Sequence, residues 1–312
     1  MKPLRKNAAI SIDGGGIRGV MVTRALTMLE QHLGQSIHGR FRLMTGTSTG
    51  AIIAAGLGAG LSAPRLHELY LQNGHEIFRH GLRTLVWPLL TRYRYGQEAI
   101  STALQQEFGD LTMGDLWSAN PATDVVITVF DLVENRSRFV KSWKPEYRDW
   151  PVHKAVLASS SVPTYFPIVD GRYVDGGVGS YANPCYLAAY EIQFCLNWDP
   201  AETTLISLGT GRDPHILQPG EADKFWAWNW IGPVLGAFGQ SSDDQQVHLV
   251  ETFFKQLDFR RFQVDLREPI AMDDASKIPE LVAYGEELGW KILNNETDPV
   301  QQIQATRAPH SV

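Results

Sequence analysis

Two short apolar segments near the start of the chain each run into a glycine-bearing turn and then into a helical pattern. The segment Asn7–Ile12 is followed by the turn at residues 13–16, beyond which apolar residues recur at the spacing of one helix face. Residues 41–45 form a second predicted strand, followed by the turn at residues 46–50 and a helix over residues 48–57. Strands that alternate with helices predict a mostly parallel sheet covered by helices on both faces.

The rest of the chain keeps this pattern up to about residue 212. An amphipathic helix is predicted over residues 64–80, and further strands over residues 124–132, 137–143 and 203–208, the second pairing with the first. Beyond residue 212, a loop with Pro and Trp leads to helices predicted over residues 245–256 and 278–293. We therefore expect a three-layer α/β/α sandwich with a mostly parallel central sheet in residues 1–212, and a helical C-terminal extension, residues 213–312, packed on this core within the same domain.

Composition narrows the class of protein. Hydrophobic residues make up 44% and charged residues 20% of the 312, which is typical of soluble globular proteins. The formal net charge of −6 argues against a nucleic-acid polymer as partner, because phosphate contacts need a basic surface. The cysteines Cys185 and Cys195 are too few to staple a fold of this size, so we expect reduced thiols. The N-terminus lacks the apolar run of a signal peptide, so we expect a cytoplasmic protein.

One uncharged segment is long enough to raise the question of a membrane span. The 22 residues 43–64 carry no charge, but five of them are glycine and five are serine or threonine. A spanning helix needs predominantly apolar residues, so we expect this segment to be buried inside a soluble protein.

The start of that segment holds the sharpest motif, a G-x-S-x-G sequence formed by Gly46, Ser48 and Gly50. A serine on a tight strand-to-helix turn presents its hydroxyl to an open cleft, and glycines two residues away on each side let neighbouring backbone pass closely. Ser48 is therefore a candidate nucleophile. The alternative is a glycine turn that opens a buried helix with Ser48 as its cap.

The first glycine turn allows two functions. The N–H groups of Gly14, Gly15 and Gly16 suit an oxyanion hole, and Asp13 is expected to cap the turn. Alternatively, Gly14, Gly16 and Gly19 satisfy G-x-G-x-x-G, the phosphate loop of dinucleotide-binding proteins. That function requires an acidic residue about twenty positions further on, and residues 35–42 contain none.

A nucleophilic serine needs a base. Three histidines lie in the C-terminal third, His215, His248 and His310, and none has a motif around it. Asp175 ends a short predicted strand and is followed by Gly176 and Gly177. It could serve as the base if it contacts the hydroxyl directly and is partly desolvated. The alternative is an ordinary turn-forming aspartate before glycine.

Together these motifs resemble those of the patatin-like phospholipases. The D-G-G-G-x-R-G loop, the G-x-S-x-G motif and the D-G-[GA] motif of that family stand here, in the same order, at residues 13–19, 46–50 and 175–177. Residues 158–166 are also similar to the family's A-S-x-A-x-P-x-x-F, with Ser161 in place of an alanine. The resemblance covers roughly residues 7–212.

The resemblance implies a Ser–Asp dyad without histidine, with Ser48 as nucleophile and Asp175 as base. It implies oxyanion donors at Gly15 and Gly16, with Gly14 forming the turn. The supporting residues are Arg18, Gly46, Gly50, Gly176 and Gly177. The implied activity is hydrolysis of carboxylic ester bonds of phospholipids or related acyl lipids through a covalent acyl-enzyme, without metal or cofactor.

The implied partner is a lipid or acyl-ester substrate, met by transient contact with a membrane surface, so that a cytoplasmic protein would bind peripherally at the inner membrane face. Oligomeric state is left open. Two aromatic segments, residues 78–95 and 225–231, either pack in the interior or line an acyl pocket, and the arginines of the first also suit lipid headgroups. Two other functions stay open, a nucleotide- or dinucleotide-binding protein that uses residues 14–19, and a catalytically silent patatin-like binding protein.

Overall fold

The computed structural model describes residues 2–79, 92–215 and 217–298. Within these residues, seven strands form one sheet in the order β4-β3-β2-β1-β6-β7, with β5 paired to β3. The strands are β1 Asn7–Ile12, β2 Leu43–Gly46, β3 Asp124–Asp131, β4 Arg136–Lys141, β5 Tyr173–Asp175, β6 Thr203–Leu208 and β7 Asp258–Phe262. Strands β1, β2, β3, β6 and β7 pair in parallel, whereas β4 and β5 each run antiparallel to β3.

Helices cover both faces of this sheet, as predicted. They are α1 Gly19–Leu33, α2 Thr49–Gly58, α3 Ala63–Ile77, α4 Glu98–Phe108, α5 Met113–Ser118, α6 Val152–Ser159, α7 Cys185–Tyr190, α8 Ile231–Phe253 and α9 Ile278–Asn294. Alternate residues of β1 enter opposite cores: Ile10 packs with α1, α2, α3 and α9, and Ala9 packs with α7 and the second half of α8. The three-layer α/β/α sandwich with a mostly parallel sheet is therefore confirmed.

The predicted helix over residues 64–80 begins one residue earlier and ends at Ile77. Ser62 caps it, since its side chain accepts a hydrogen bond from the N–H of Arg65, and Pro64 follows in the first turn. The predicted pairing of residues 124–132 with 137–143 is also confirmed, as β3 and β4.

The tail differs from the prediction of a purely helical extension. Residues 258–262 form β7, a strand that pairs in parallel with β6 at the edge of the sheet. The predicted helix over residues 245–256 is the end of the much longer α8, which stops at Phe253. The charged residues Asp258, Arg260 and Arg261 are typical of a surface loop in the sequence, but all three are buried and ion-paired in β7.

The uncharged segment is buried over residues 43–58, as expected, whereas residues 59–62 and 64 are partly or fully exposed. Every residue of β2 and α2 is buried, and the small residues of α2 allow it to pack closely under the sheet. In the part of the chain that the structure describes, no helix has both the length and the hydrophobicity needed to cross a bilayer. Cys185 and Cys195 are both free thiols, as predicted.

Candidate active site

Ser48 lies at the sharp turn between β2 and α2. Its backbone adopts φ 55° and ψ −123°, a conformation that side-chain-bearing residues rarely adopt. A Cβ on Gly46 would lie 2.2 Å from the carbonyl oxygen of Gly50, and a Cβ on Gly50 would lie 2.2 Å from that of Ile12. Only glycine fits at either position, so the two motif glycines permit the turn that presents Ser48.

Two features of this turn were not predicted, one hydrogen bond and one free N–H group. The N–H of Ser48 donates a 2.9 Å hydrogen bond to Oγ of Ser159, at the end of α6. The N–H of Thr49, the first residue of α2, has no hydrogen-bond partner among the described residues. A free N–H directly after a nucleophilic serine is a common oxyanion donor, so its position in the G-x-S-x-G motif was a usable signal for Thr49.

Asp175 is at the end of β5, where β5 pairs with β3. Its Oδ1 accepts a 2.7 Å hydrogen bond from the N–H of Gly177, and its Oδ2 is buried without a hydrogen-bond partner among the described residues. Burial raises the pKa of Asp175 to about 6, against the opposing effects of the Gly177 N–H and the Ser48 hydroxyl. The Ser48 hydroxyl thus interacts with the carboxylate without the geometry of a formed hydrogen bond.

A chain of threonines fixes Asp175 relative to Ser48. The hydroxyl of Thr47 donates to the carbonyl oxygen of Tyr181, and Oγ1 of Thr128 lies 2.7 Å from Oγ1 of Thr47. Gly176 packs directly on Thr128, because a Cβ there would lie 2.1 Å from its Oγ1. The turn after Asp175 is therefore held next to the turn that carries Ser48 by contacts through Thr47 and Thr128.

The glycine loop lies beside Ser48, but its three N–H groups are not equivalent. Gly14 donates a 2.8 Å hydrogen bond to the carbonyl oxygen of Ala182, so its N–H is occupied and the prediction of Gly14 as an oxyanion donor is corrected. A Cβ on Gly14 would lie 3.3 Å from Cβ of Ser48, which makes it the turn residue against the serine. The N–H groups of Gly15 and Gly16 have no partner among the described residues.

Two residues far away in the sequence hold this loop in place. Gly16 has φ +58°, and a Cβ there would lie 2.2 Å from the carbonyl oxygen of Met272, which also accepts a 2.8 Å hydrogen bond from the N–H of Ile17. On the other side, the hydroxyl of Thr210 donates a 2.6 Å hydrogen bond to the carbonyl oxygen of Gly14. The loop conformation therefore depends on two chain segments far away in sequence.

The charged residues of the loop also face distant segments. Arg18 pairs with Asp213 at 2.7 Å and donates to the carbonyl oxygen of Ile270, as expected for a residue that shapes the loop. Asp13 was expected to cap the glycine turn. Its carboxylate instead forms a buried ion pair with Arg261 of β7.

An apolar cavity opens at Ser48. It holds about 660 Å³ of space, including solvent at its open mouth, and its lining surface is almost wholly apolar. Its walls come from the first turn of α2, from α3, α4 and the residues after α6, and its apolar lining includes Ile52, Leu69, Ile77, Leu104, Val162 and Phe166. No histidine of the described residues lines this cavity. His310 and residues 80–91 of the predicted 78–95 segment lie outside the described residues.

Comparison with known proteins identifies the family. A family model described as patatin-like phospholipase matches residues 10–189, which is more than half of the chain. The chain therefore belongs to the patatin-like phospholipase family.

Individual relatives are similar at modest identity. An intracellular phospholipase A2 of Caenorhabditis elegans is 28% identical over 226 residues, which cover 67% of this chain and 20% of that protein. A cGAMP-activated phospholipase of Pseudomonas aeruginosa is 29% identical over 268 residues, which cover 82% of this chain and 77% of that protein. The solved structure of VipD from Legionella pneumophila matches with a TM-score of 0.47 and 12% identity, covering 94% of this chain and 67% of VipD. The chain thus spans about a fifth of the nematode relative's length.

Proposed function

We propose that this protein hydrolyses carboxylic ester bonds of phospholipids or related acyl lipids with Ser48 as nucleophile and Asp175 as general base. The observation that carries the proposal is the unpartnered Oδ2 of a buried Asp175 beside the Ser48 hydroxyl, at the head of an apolar cavity. Membership of the patatin-like phospholipase family and the phospholipases among its relatives support the same activity.

In the first half of the reaction, Asp175 accepts the proton of the Ser48 hydroxyl while Oγ attacks the ester carbonyl carbon. The carbonyl oxygen becomes negatively charged, and it accepts hydrogen bonds from the free N–H groups of Gly15, Gly16 and Thr49. Collapse of the tetrahedral intermediate breaks the bond to the alcohol, which takes the proton from Asp175. The acyl group stays on Ser48.

In the second half, Asp175 accepts a proton from water, and the resulting hydroxide attacks the acyl-enzyme carbonyl. The same N–H groups stabilise the second oxyanion. Its collapse releases the fatty acid, and Oγ of Ser48 regains its proton from Asp175. The apolar cavity at Ser48 would hold the acyl chain out of water through these steps, which favours long-chain acyl esters as substrates.

The experiment is fatty-acid release from long-chain phospholipids by the whole chain and by Ser48→Ala and Asp175→Asn variants. Both variants should be inactive and folded, whereas His215→Ala and His248→Ala should be fully active. Full activity in either dyad variant would contradict the mechanism, and loss in a histidine variant would favour a triad.

Labelling by a serine-directed fluorophosphonate separates this function from the two alternatives. Wild-type protein should be labelled at Ser48, and failure of labelling in folded protein would favour a catalytically silent binding protein. Saturable binding of nucleotides or dinucleotides with no esterase activity would favour the phosphate-loop alternative.

The proposal extends to the whole chain. We place residues 213–312 in one domain with residues 1–212, because β7 completes the same sheet and Met272 packs against Gly16. A cytoplasmic protein that binds transiently at the inner membrane face would meet such a substrate, and no metal or cofactor takes part in the steps above.

A further inference from the structure

Residues 225–242 form a second uncharged segment, and it lies on the surface. This stretch of 18 residues contains three of the nine tryptophans of the chain. The side chain of Trp226 is 69% exposed, that of Trp230 is 43% exposed and that of Val234 is 41% exposed. The expectation that residues 225–231 pack in the interior or line the acyl pocket is therefore wrong for Trp226 and Trp230.

The first half of α8 has one open face. A Cβ placed on Gly232, Gly236 or Gly239 would meet no atom of the described residues within 4 Å, apart from the backbone of the same helix. The second half is held firmly, since Ser242 donates a 2.6 Å hydrogen bond to the carbonyl oxygen of Ser180 and Val250 is fully buried. The exposed first half of α8 therefore continues from a fixed second half.

The first half of α8 lies beside the candidate active site. Gly236 and Gly239 line a polar cavity together with Gly14 and Gly15 of the glycine loop. Met272 lines the same polar cavity and also the apolar cavity at Ser48. If residues 225–239 contacted a surface, that surface would therefore lie close to the Ser48 cavity.

The chemistry of the segment suits the boundary between lipid and water. Tryptophan has a large apolar ring and one polar N–H, and it is enriched where membranes meet water. The charged residues on either side of the segment in the sequence are mostly acidic: Glu221, Asp223 and Asp244 are exposed, and Lys224 is the one lysine or arginine between residues 217 and 254 of the described chain. Acidic flanks do not favour attraction to anionic lipid, whereas exposed aromatic and apolar side chains favour insertion.

We propose that residues 225–239 dock the protein on a zwitterionic lipid surface and so place the Ser48 cavity against its lipid substrate. The inference rests on the proposed function. A lipid surface is favoured over a second copy of this chain because the acyl chain must come from aggregated lipid. In addition, Gly236 and Gly239 of the segment line a polar cavity that shares Met272 with the Ser48 cavity.

The first test is sedimentation of the Ser48→Ala protein with vesicles of pure phosphatidylcholine. Adding Trp226→Ala and Trp230→Ala should weaken this binding at least tenfold, whereas adding Trp290→Ala should leave it unchanged. Trp290 is the matched control, since it is 59% exposed on α9 and lies outside the segment. Raising the salt concentration from about 0.1 M to about 1 M, which shortens the Debye length from about 10 Å to about 3 Å, should not weaken binding.

The second test compares two substrates with the active protein. Trp226→Ala with Trp230→Ala should reduce hydrolysis of phosphatidylcholine vesicles at least tenfold and leave hydrolysis of a soluble short-chain nitrophenyl ester unchanged. If the wild type hydrolyses neither substrate while tryptophan-dependent vesicle binding persists, the proposed function fails and the docking surface stands.

Three results would overturn the docking proposal. The first is vesicle binding that survives loss of both tryptophans. The second is binding that requires anionic lipid and disappears at high salt. The third is a dimer in light scattering that the tryptophan substitutions dissociate, which would assign the segment to a second copy of the chain.

Discussion

The guanidinium of Arg261 lies against both carboxylate oxygens of Asp13, with Nη1 3.0 Å from Oδ1. Asp13 follows β1 directly before the glycine loop, Arg261 is in β7, and the two residues are only 5% and 2% exposed. Burial alone would lower the pKa of Arg261, but Asp13 and Asp243 outweigh it and raise that pKa. Arg261 of β7 therefore pairs with Asp13, the residue at which the candidate oxyanion loop begins.

Loss of one partner should leave the other charge buried and unpaired. Arg261→Gln is expected to lower the free energy of unfolding by about 3–5 kcal/mol in urea titrations, and to reduce ester hydrolysis by disturbing the loop. Arg212→Gln is the control, because Arg212 is 31% exposed and pairs with Asp265 and Asp298, and it should cost less than about 1 kcal/mol. Equal losses in both variants would show that the Asp13 pair has no special structural role.

That ion pair also explains where prediction of the fold from sequence stops. The elements of the first third follow from local pattern alone, and β1 was predicted with its observed bounds because its apolar run ends at a glycine turn. Strand β7 was missed because Asp258, Arg260 and Arg261 look solvated in the sequence. Their charges are compatible with a buried strand only because partners such as Asp13 approach from the other end of the chain.

The candidate site divides in the same way. Ser48, Asp175 and the motif glycines could be predicted because turns need particular residues at fixed local spacing. That Gly14 is not a free donor could not, since its N–H is occupied by the carbonyl of Ala182, 168 positions away in the sequence. Contacts of this kind depend on tertiary pairing and leave no local signal.

The raised pKa of Asp175 predicts the acid limb of the pH profile. Only the carboxylate form can take the proton of Ser48, so kcat/KM on a soluble ester should rise with pH and reach half its maximum near pH 6. The His248→Ala variant should keep this limb, which would exclude His248 as its source. A limb centred near the ordinary aspartate value would show that Asp175 is not the titrating base.

The raised pKa of Asp175 also predicts that stability falls as the pH rises, whereas activity increases. The folded protein binds the Asp175 proton more tightly than the unfolded chain, so the stability from this group is complete below pH 3.8 and is lost as pH rises through about 6. At pH 8 the ionised group should cost about 3 kcal/mol. Asp175→Asn should therefore raise the unfolding temperature at pH 8 and not at pH 3.5, whereas Asp149→Asn, at an exposed site, should change neither. A destabilised Asp175→Asn protein at pH 8 would contradict the burial argument.

Two glycines with positive φ give a matched test of the oxyanion loop. Gly16 has φ +58° and lies against the carbonyl of Met272, whereas Gly34, at the end of α1, has φ +64° and open space around it. Alanine at Gly34 should cost only the backbone strain of about 1–2 kcal/mol and leave activity intact. Alanine at Gly16 must also displace Met272, so the free N–H groups move and kcat should fall about 100-fold or more. Equal activity in the two variants would exclude a catalytic role for this part of the loop.

Adjacent serines test whether the cavity wall holds an unsatisfied hydroxyl. Oγ of Ser160 lines the apolar cavity and is buried without a partner among the described residues. Oγ of Ser161 donates a 2.8 Å hydrogen bond to the carbonyl oxygen of Leu157 and accepts one from Gln97. A buried hydroxyl without a partner carries a desolvation penalty of about 1–3 kcal/mol, whereas a typical satisfied hydrogen bond stabilises by about 1 kcal/mol.

Ser160→Ala should therefore leave the unfolding temperature unchanged or raise it, and it should not weaken binding of a hydrocarbon acyl chain, because it makes the wall of the cavity more apolar. Ser161→Ala should lower the unfolding temperature, since it removes two hydrogen bonds at the same turn. Thermal unfolding of the two variants side by side, with KM for a long-chain ester, measures both effects. If Ser160→Ala is destabilised as much as Ser161→Ala, the Ser160 hydroxyl is satisfied in solution and the cavity is wetter than its apolar lining indicates.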